Sequence, residues 1–347
     1  LFKGHFIVKL KYNDFLLIKQ YNYSAYPTSL LLSSISQGTF IIKFNEAPLI
    51  KCITSDLAYI DIDDYTKKWI NCKISNLDYI NVLNFHANRS FADLSSYPIF
   101  PKILIDLTKD SFEVKDNIRP LDQPIEVVSD PEPGHEQIIN RYKIQKYHHH
   151  ENLSNSMNVS LNFCRFEPYS RFQWCINDGW DQGQRHFISF PKSLTIHKKS
   201  KYELSPEFYC FPEIFLNLNN YVLPFGSSFD CVLPKWASNI YRFIELHRYS
   251  LELPIVRNEI HNWFDIVFGY KLSGEAAKKA LNLFYSLSYV SKNMTNEEIQ
   301  QKHEWVNTCG TVPCQLFQKP HPKSIERGRI DPLNLIYEIN PKIEIKN

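Results

Sequence analysis

The stretch ISNLDYINVLNFHANRSFADLSSYPIFP, residues 74–101, changes character halfway along, and that change bears on the whole fold. In its first half Leu77, Ile80, Leu83 and Ala87 recur at helical spacing behind Ser75. A serine there can accept a hydrogen bond from a free backbone N–H of the first turn, so the pattern predicts a helix from Ser75 to about Ala87. In the second half Pro98 and Pro101 appear, and Pro120, Pro124, Pro131 and Pro133 follow. A proline lacks the N–H and clashes with the preceding turn, so this region cannot be one continuous helix. Residues 109–137 are polar and weakly patterned, and are expected to form a surface loop or an extended crossing.

Downstream, the helical texture returns. Ile240, Phe243, Ile244, His247 and Leu251 mark one amphipathic helix. A second starts at Pro254, turns Val256, Ile260, Trp263, Phe264 and Val267 inward, and ends near Gly269. Ser273 caps a third, SGEAAKKALNLFYSL. A fourth opens at Thr295-Asn296-Glu297-Glu298, a capping box in which the Thr and Glu side chains satisfy each other's backbone N–H. Upstream, the first sixty residues read as β: His5–Tyr12, Asp14–Gln20, Ser29–Ser34 and Thr39–Phe44, then a helix behind Pro48. That unit is too short for a complete barrel or sandwich.

Composition excludes several classes. The 347 residues carry a net charge of +2, without the basic excess of a dedicated nucleic-acid binder. With 44% hydrophobic residues the chain can bury a sizeable core. The 10 glycines are about 3% of the chain, under half the usual ~7%, against 20 prolines. Neither G-x-G-x-x-G nor G-x-x-x-x-G-K-[ST] occurs, which argues against a dinucleotide or P-loop enzyme and implies no cofactor. The eight cysteines contain no C-x-x-C and read as reduced, mostly buried thiols of a cytoplasmic protein. No signal peptide or transmembrane segment is legible. The first residue is Leu1, not Met, so a piece of a longer protein is expected.

Several constellations invite chemistry. His148-His149-His150-Glu151 resembles a metal site, but consecutive side chains diverge, so a solvated loop is expected. His261 and Asp265, one helical turn apart, could be an orienting pair for a hydrolase, without an evident nucleophile; a hydrogen-bonded helix pair is the plainer reading. His247 lies on an apolar stripe and reads as a core histidine. Glu203, Glu207 and Glu213 crowd ELSPEFYCFPEIF, which reads as packed and irregular rather than as a glycosidase pair. Lys198, Lys199 and Lys201 read as a solvated basic loop. Cys309 and Cys314 have no evident zinc partners. Nothing here demands catalysis.

Taken in order, these segments resemble the BEACH domain family. The resemblance opens at Trp69 and the 74–101 stretch. It continues through RFEPYSRF (165–172), Gly179-Trp180-Asp181 with Arg185, SPEFYCFPEIFLNLN (205–219) and LPKWA (233–237). FIELHRYSLE (243–252), HNWFDIVFGYKLSGEAA (261–277) and CGTVPCQLFQKPHP (309–322) complete it. Upstream, AYPTSLLLSSISQGTFIIKF (25–44) is similar to the last strands of the pleckstrin-homology-like (PH-like) domain that usually precedes BEACH. The implied organisation is a partial PH-like domain at 1–60, a linker at 61–68, a BEACH domain at 69–322, and a tail at 323–347. That tail lies where many members lead to a WD-repeat propeller. The implied fold is mainly α with irregular extended core segments, plus a small β-rich fragment.

The resemblance also implies a non-enzymatic scaffold for protein partners in membrane and vesicle trafficking, lysosome-related processes or autophagy. Such a protein would be cytoplasmic and peripheral to endomembranes. The groove between the two domains is the surface implied for partners, and Arg89, Asp93, Arg185 and Arg248 are the candidates for polar contact or for holding buried backbone. An alternative is a lipid-binding adaptor reading phosphoinositides through the PH-like part, with Lys3, Lys9, Lys11 and Lys19 as donors. Departures from the family pattern are Asn88-Arg89-Ser90 for the usual Gly-Arg-Ser, Lys102 for a usual tryptophan, Lys73 for an acidic residue, and YHHHENLS at 147–154.

Overall fold

The computed structural model describes residues 15–23, 26–34, 38–43, 61–107, 114–129, 133–177, 200–222, 230–290 and 294–325. Strands β1 (Phe15–Tyr23), β2 (Tyr26–Ser34) and β3 (Gly38–Lys43) form an antiparallel sheet in the order β1-β2-β3. Ser29 pairs with Tyr21 on one side and Lys43 on the other. Leu30, Leu31 and Leu32 are buried in the central strand. The expected strand 5–12 and the helix behind Pro48 lie outside the described residues.

Within residues 61–68, expected as a linker, the backbone is a capped helix. Asp61 accepts from the N–H of Asp63, and α1 runs Ile62–Ile70 with buried Trp69 near its end. The 74–101 reading then holds closely. Ser75 accepts from Asp78 N at 3.0 Å and opens α2 (Asn76–His86). The Glu252 carboxylate, reaching back from the end of a later helix, accepts from the N–H groups of Asn76 and Leu77. Two acceptors therefore satisfy the start of α2, one local and one supplied only by folding. Trp69 stacks on Tyr79 at 5.2 Å, and Phe264 meets both edge-on.

Beyond α2 the chain runs extended through the core. Tyr97, Ile99, Phe100, Ile103, Leu104 and Leu107 are buried, as are Pro98 and Pro101. Phe100 and Leu204 exchange backbone hydrogen bonds, and Leu104 bridges to Ile118. Prolines in such a segment bring no N–H that needs a buried partner. The expected surface crossing at 109–137 needs correction: α3 (Ile125–Ser129) and α4 (Pro133–Gln145) occupy part of it. Helix α4 is polar along its exposed side, which hides it from a periodicity reading, but Ile138 is fully buried.

The remaining α-helices among the described residues are α5 (Ser156–Asn162), α6 (Tyr169–Asn177), α7 (Glu207–Cys210), α8 (Ile240–Leu251), α9 (Pro254–Val267), α10 (Gly274–Lys279) and α11 (Asn296–Cys309). Helices α8 and α9 match their predicted faces, and the Thr295–Glu298 capping box is formed. The helix expected through 287 stops early, because Leu281 takes φ 54° and the Asn282 amide donates to the carbonyls of Ile266 and Lys271. No described helix is long and apolar enough to cross a membrane.

Candidate functional site

The sheet meets the helical body at the loop that follows α2. Asn88 takes φ 63°, a conformation reached by glycine or asparagine at least cost, which explains why asparagine can stand there. That turn sends Arg89 inward to 3% exposure. Its Nε donates to the Tyr97 carbonyl at 2.8 Å, and its Nη1 donates to Thr311 O at 2.8 Å and Thr311 Oγ1 at 3.1 Å. Its Nη2 has no hydrogen-bond partner among the described residues. Burial pulls the guanidinium down to about 10, against the opposing pull of Tyr21, Asp93 and Cys314. Arg89 thus clamps the extended 97–107 segment to Thr311, just after α11.

Asp93 caps a short 3-10 turn, Leu94–Ser96: its Oδ1 accepts from Ser95 N at 3.0 Å and Ser95 Oγ at 2.7 Å. Its other oxygen accepts from the Tyr21 hydroxyl of β1 at 3.1 Å. Tyr21 is 1% exposed, and burial, then the Asp93 charge, raise its hydroxyl well above the ordinary tyrosine range. Ser96 Oγ lies 2.7 Å from Thr311 Oγ1, closing the cluster. One carboxylate therefore serves both the loop and the sheet. At the rim Phe91 is 55% exposed, its ring set edge-on to Tyr97, and Tyr23 of β1 is half-buried.

Arg89 and Asp93 are thus brought together at one junction. Arg248 lies elsewhere, half-buried on α8, where its charge eases a Cys210 thiol that burial and then Glu207 push up. Arg185 lies outside the described residues, as do Lys3, Lys9 and Lys11; Lys19 falls within β1.

The chemistry-bearing candidates disperse. No hydrogen bond joins His261 to Asp265 among the described residues. Asp265 accepts from His321 N at 2.8 Å, and the Nδ1 of His261 has no hydrogen-bond partner among the described residues. Burial lowers His261 and raises Asp265, so each side chain is drawn toward neutrality. Two described surface clefts, of 480 and 310 Å³, are lined by neither residue. His247 is a buried core histidine whose Nδ1 faces Phe243 O at 2.9 Å, and burial holds it down to about 4.

The solvated loop expected at 148–150 is corrected: His148 and His149 are 1% and 3% exposed. His149 lies between the Glu126 carboxylate at 2.6 Å and the Leu281 carbonyl at 2.7 Å, and His148 accepts from Leu283 N at 3.1 Å. Lys201, expected in solvent, is half-buried and pairs with Glu151 at 3.1 Å. Nor are the thiols mostly buried: of seven described cysteines, all free, Cys164, Cys231 and Cys309 are buried. Among the described residues no group of three or more His, Cys, Asp or Glu could hold a metal.

Glu203 is the residue whose role the sequence concealed. Its Oε1 meets Arg119 Nη2 at 2.5 Å and Trp263 Nε1 at 2.9 Å, and its Oε2 accepts from Lys102 N at 2.7 Å. Arg119 Nε donates to Lys102 O at 2.7 Å. Lys102 is fully buried, and burial brings its amine down to about 7 against the pull of Glu203. The aromatic and proline neighbours of Glu203 do indicate packing, but its partners lie up to 101 residues away.

Helices over an extended, proline-bearing core, joined to an antiparallel sheet through a buried carboxylate, define an α-rich domain built on irregular backbone. The Beige/BEACH domain model matches residues 67–324, and the chain belongs to this family. It is 33% identical over 292 residues to BEACH domain-containing protein A2 of Arabidopsis thaliana, covering 77% of this chain and 8% of that protein. It is 31% identical over 294 residues to Beige protein homolog 1 of Saccharomyces cerevisiae, covering 77% and 13%. It is also 31% identical over 293 residues to the lysosomal-trafficking regulator of Drosophila melanogaster, covering 75% and 8%. The chain therefore spans between 8% and 13% of the length of these relatives.

Proposed function

We propose that this chain is the BEACH segment of a non-enzymatic scaffold in membrane and vesicle trafficking, peripheral to endomembranes, and that it grips protein partners where sheet and helical body meet. In this reading the three strands are the end of a PH-like domain. The observation that carries it is the Tyr21–Asp93 bond, which makes the two parts share a buried carboxylate while leaving Phe91 at 55% exposure on the rim. Arg89 and Asp93 then act as the frame of the groove, and the exposed aromatic supplies contact area at low entropic cost. The relatives' names support the trafficking role, one of them being a lysosomal-trafficking regulator. The scattered and buried acid–base candidates favour a scaffold over a hydrolase.

The test is proximity labelling with the full-length protein carrying Phe91→Asp, beside Arg89→Met. Phe91→Asp should leave the melting temperature unchanged and remove a subset of labelled proteins. Arg89→Met should lower the melting temperature first. An unchanged set of labelled proteins for Phe91→Asp, with the variant folded and expressed, would overturn the reading.

A further inference from the structure

A second surface, sharing no residue with the junction, lies on the outer side of α8. Here Val114 and Lys115, in the 3-10 turn Val114–Asn117, face Arg242, Leu246, Tyr249 and Leu253 across a cleft of 480 Å³. Val114, Leu246 and Leu253 are half-buried or buried, so the cleft has apolar walls, while Tyr249 remains 44% exposed. Two turns back along the same helix Tyr241 is 65% exposed, and Tyr241, Glu245 and Tyr249 are spaced i, i+4, i+8 on one face. The volume lies in the range of sites that take one or two side chains or a small ligand.

Charge decides what could fill it. The Arg242 guanidinium meets Glu245, which also lines the cleft, at 2.8 Å, so these two offset each other. Lys115 is exposed and has no carboxylate partner among the described residues, so the described lining carries one cation outside the Arg242–Glu245 pair, beside apolar walls. One cation is too few for an anionic membrane, where clusters of about 4–8 Lys or Arg are the usual signature. It is likewise too few for a nucleic-acid backbone. Tyrosine and arginine at a small apolar depression are instead the composition of protein-contact hot spots. We infer that this cleft binds a short acidic peptide segment of a partner protein, which seats one aromatic or aliphatic side chain between Val114, Leu246 and Tyr249 and sets a carboxylate against Lys115. The inference stands apart from the junction reading, and either can fail alone.

The experiment selects random 12-residue phage-displayed peptides on the full chain, then measures the recovered peptides on Lys115→Glu, Tyr249→Ala and a remote control, Lys278→Glu. Recovered peptides should pair Asp or Glu with a neighbouring aromatic or aliphatic residue. Their affinity should fall about tenfold or more on Lys115→Glu and Tyr249→Ala, with melting temperatures unchanged, and stay level on Lys278→Glu. It should also weaken with added salt. No enrichment, enrichment of basic peptides, or equal binding to Lys115→Glu would overturn the inference. So would Lys115-dependent binding of phosphatidylserine vesicles, which would assign the cleft to a membrane, or a dimer abolished by Tyr249→Ala, which would assign it to a second copy.

Discussion

Arg119 and Arg89 are both buried arginines, at 2% and 3% exposure, yet their charges are met in different ways. Arg119 sits in a closed knot: an ion pair with Glu203, with Trp263 and the Lys102 backbone filling the remaining carboxylate positions. Arg89 meets carbonyls and a hydroxyl, keeps one nitrogen unpartnered among the described residues, and sits in the same cluster as a carboxylate that also serves the sheet. The first arrangement is complete within the helical body. In the second, Asp93 has its Tyr21 donor only when β1 is docked. That difference separates a polar cluster that builds the fold from one that joins two parts of it, where a partner could act.

The largest effect should come from opening the knot. Glu203→Gln removes the one carboxylate that pairs with Arg119 among the described residues and leaves a buried guanidinium uncompensated. Breaking one member of such a pair costs about 3–5 kcal/mol, so urea unfolding should show that loss or the absence of a folded state. A loss under 1 kcal/mol would mean the knot is no more integral than the junction.

Lys102→Met sharpens the same contrast with the opposite sign. Here a buried amine is held down to about 7, so the folded state disfavours its charge. Below pH 7 the lysine is protonated folded and unfolded alike, and the cost of burying its charge is fully present. Between about pH 7 and the ordinary lysine value the unfolded chain binds the extra proton, so stability rises with pH. Methionine should raise stability at pH 6 by about 1–3 kcal/mol and flatten that rise, as read from unfolding curves at several pH values.

Much of this architecture was legible where the determinants are local. Ser75 with its apolar i, i+3 neighbours, Pro254 at a helix start and the Thr295–Glu298 box each specify their element within one or two turns. The polar clusters were legible only in part. Arg89 and Asp93 stand out as charges inside an aromatic motif, but Thr311 and Tyr21 lie 222 and 72 residues away. His149 looks solvated in sequence because its acceptors, on Glu126 and Leu281, are 23 and 132 residues distant. Burial of a polar residue depends on who meets it, and a single sequence does not record such pairings.

The junction itself yields the smallest and most selective prediction. Tyr21→Phe deletes one hydroxyl and keeps the buried ring, so Asp93 loses one donor while the packing volume at Tyr21 is retained. Hydrogen bonds to a charged group contribute about 1.5–3 kcal/mol at most, and Asp93 still accepts from Ser95, so a loss near 1 kcal/mol is expected. The loss should be local. Amide exchange should quicken in β1–β3 and in the 88–97 loop, while α9 and the Glu203 knot keep their protection, because nothing in the knot depends on β1. If protection fell equally in α9, sheet and body would be one cooperative unit. The distinction between a cluster that builds the fold and one that joins its parts would then dissolve, and with it the physical reason for placing partner recognition at their seam.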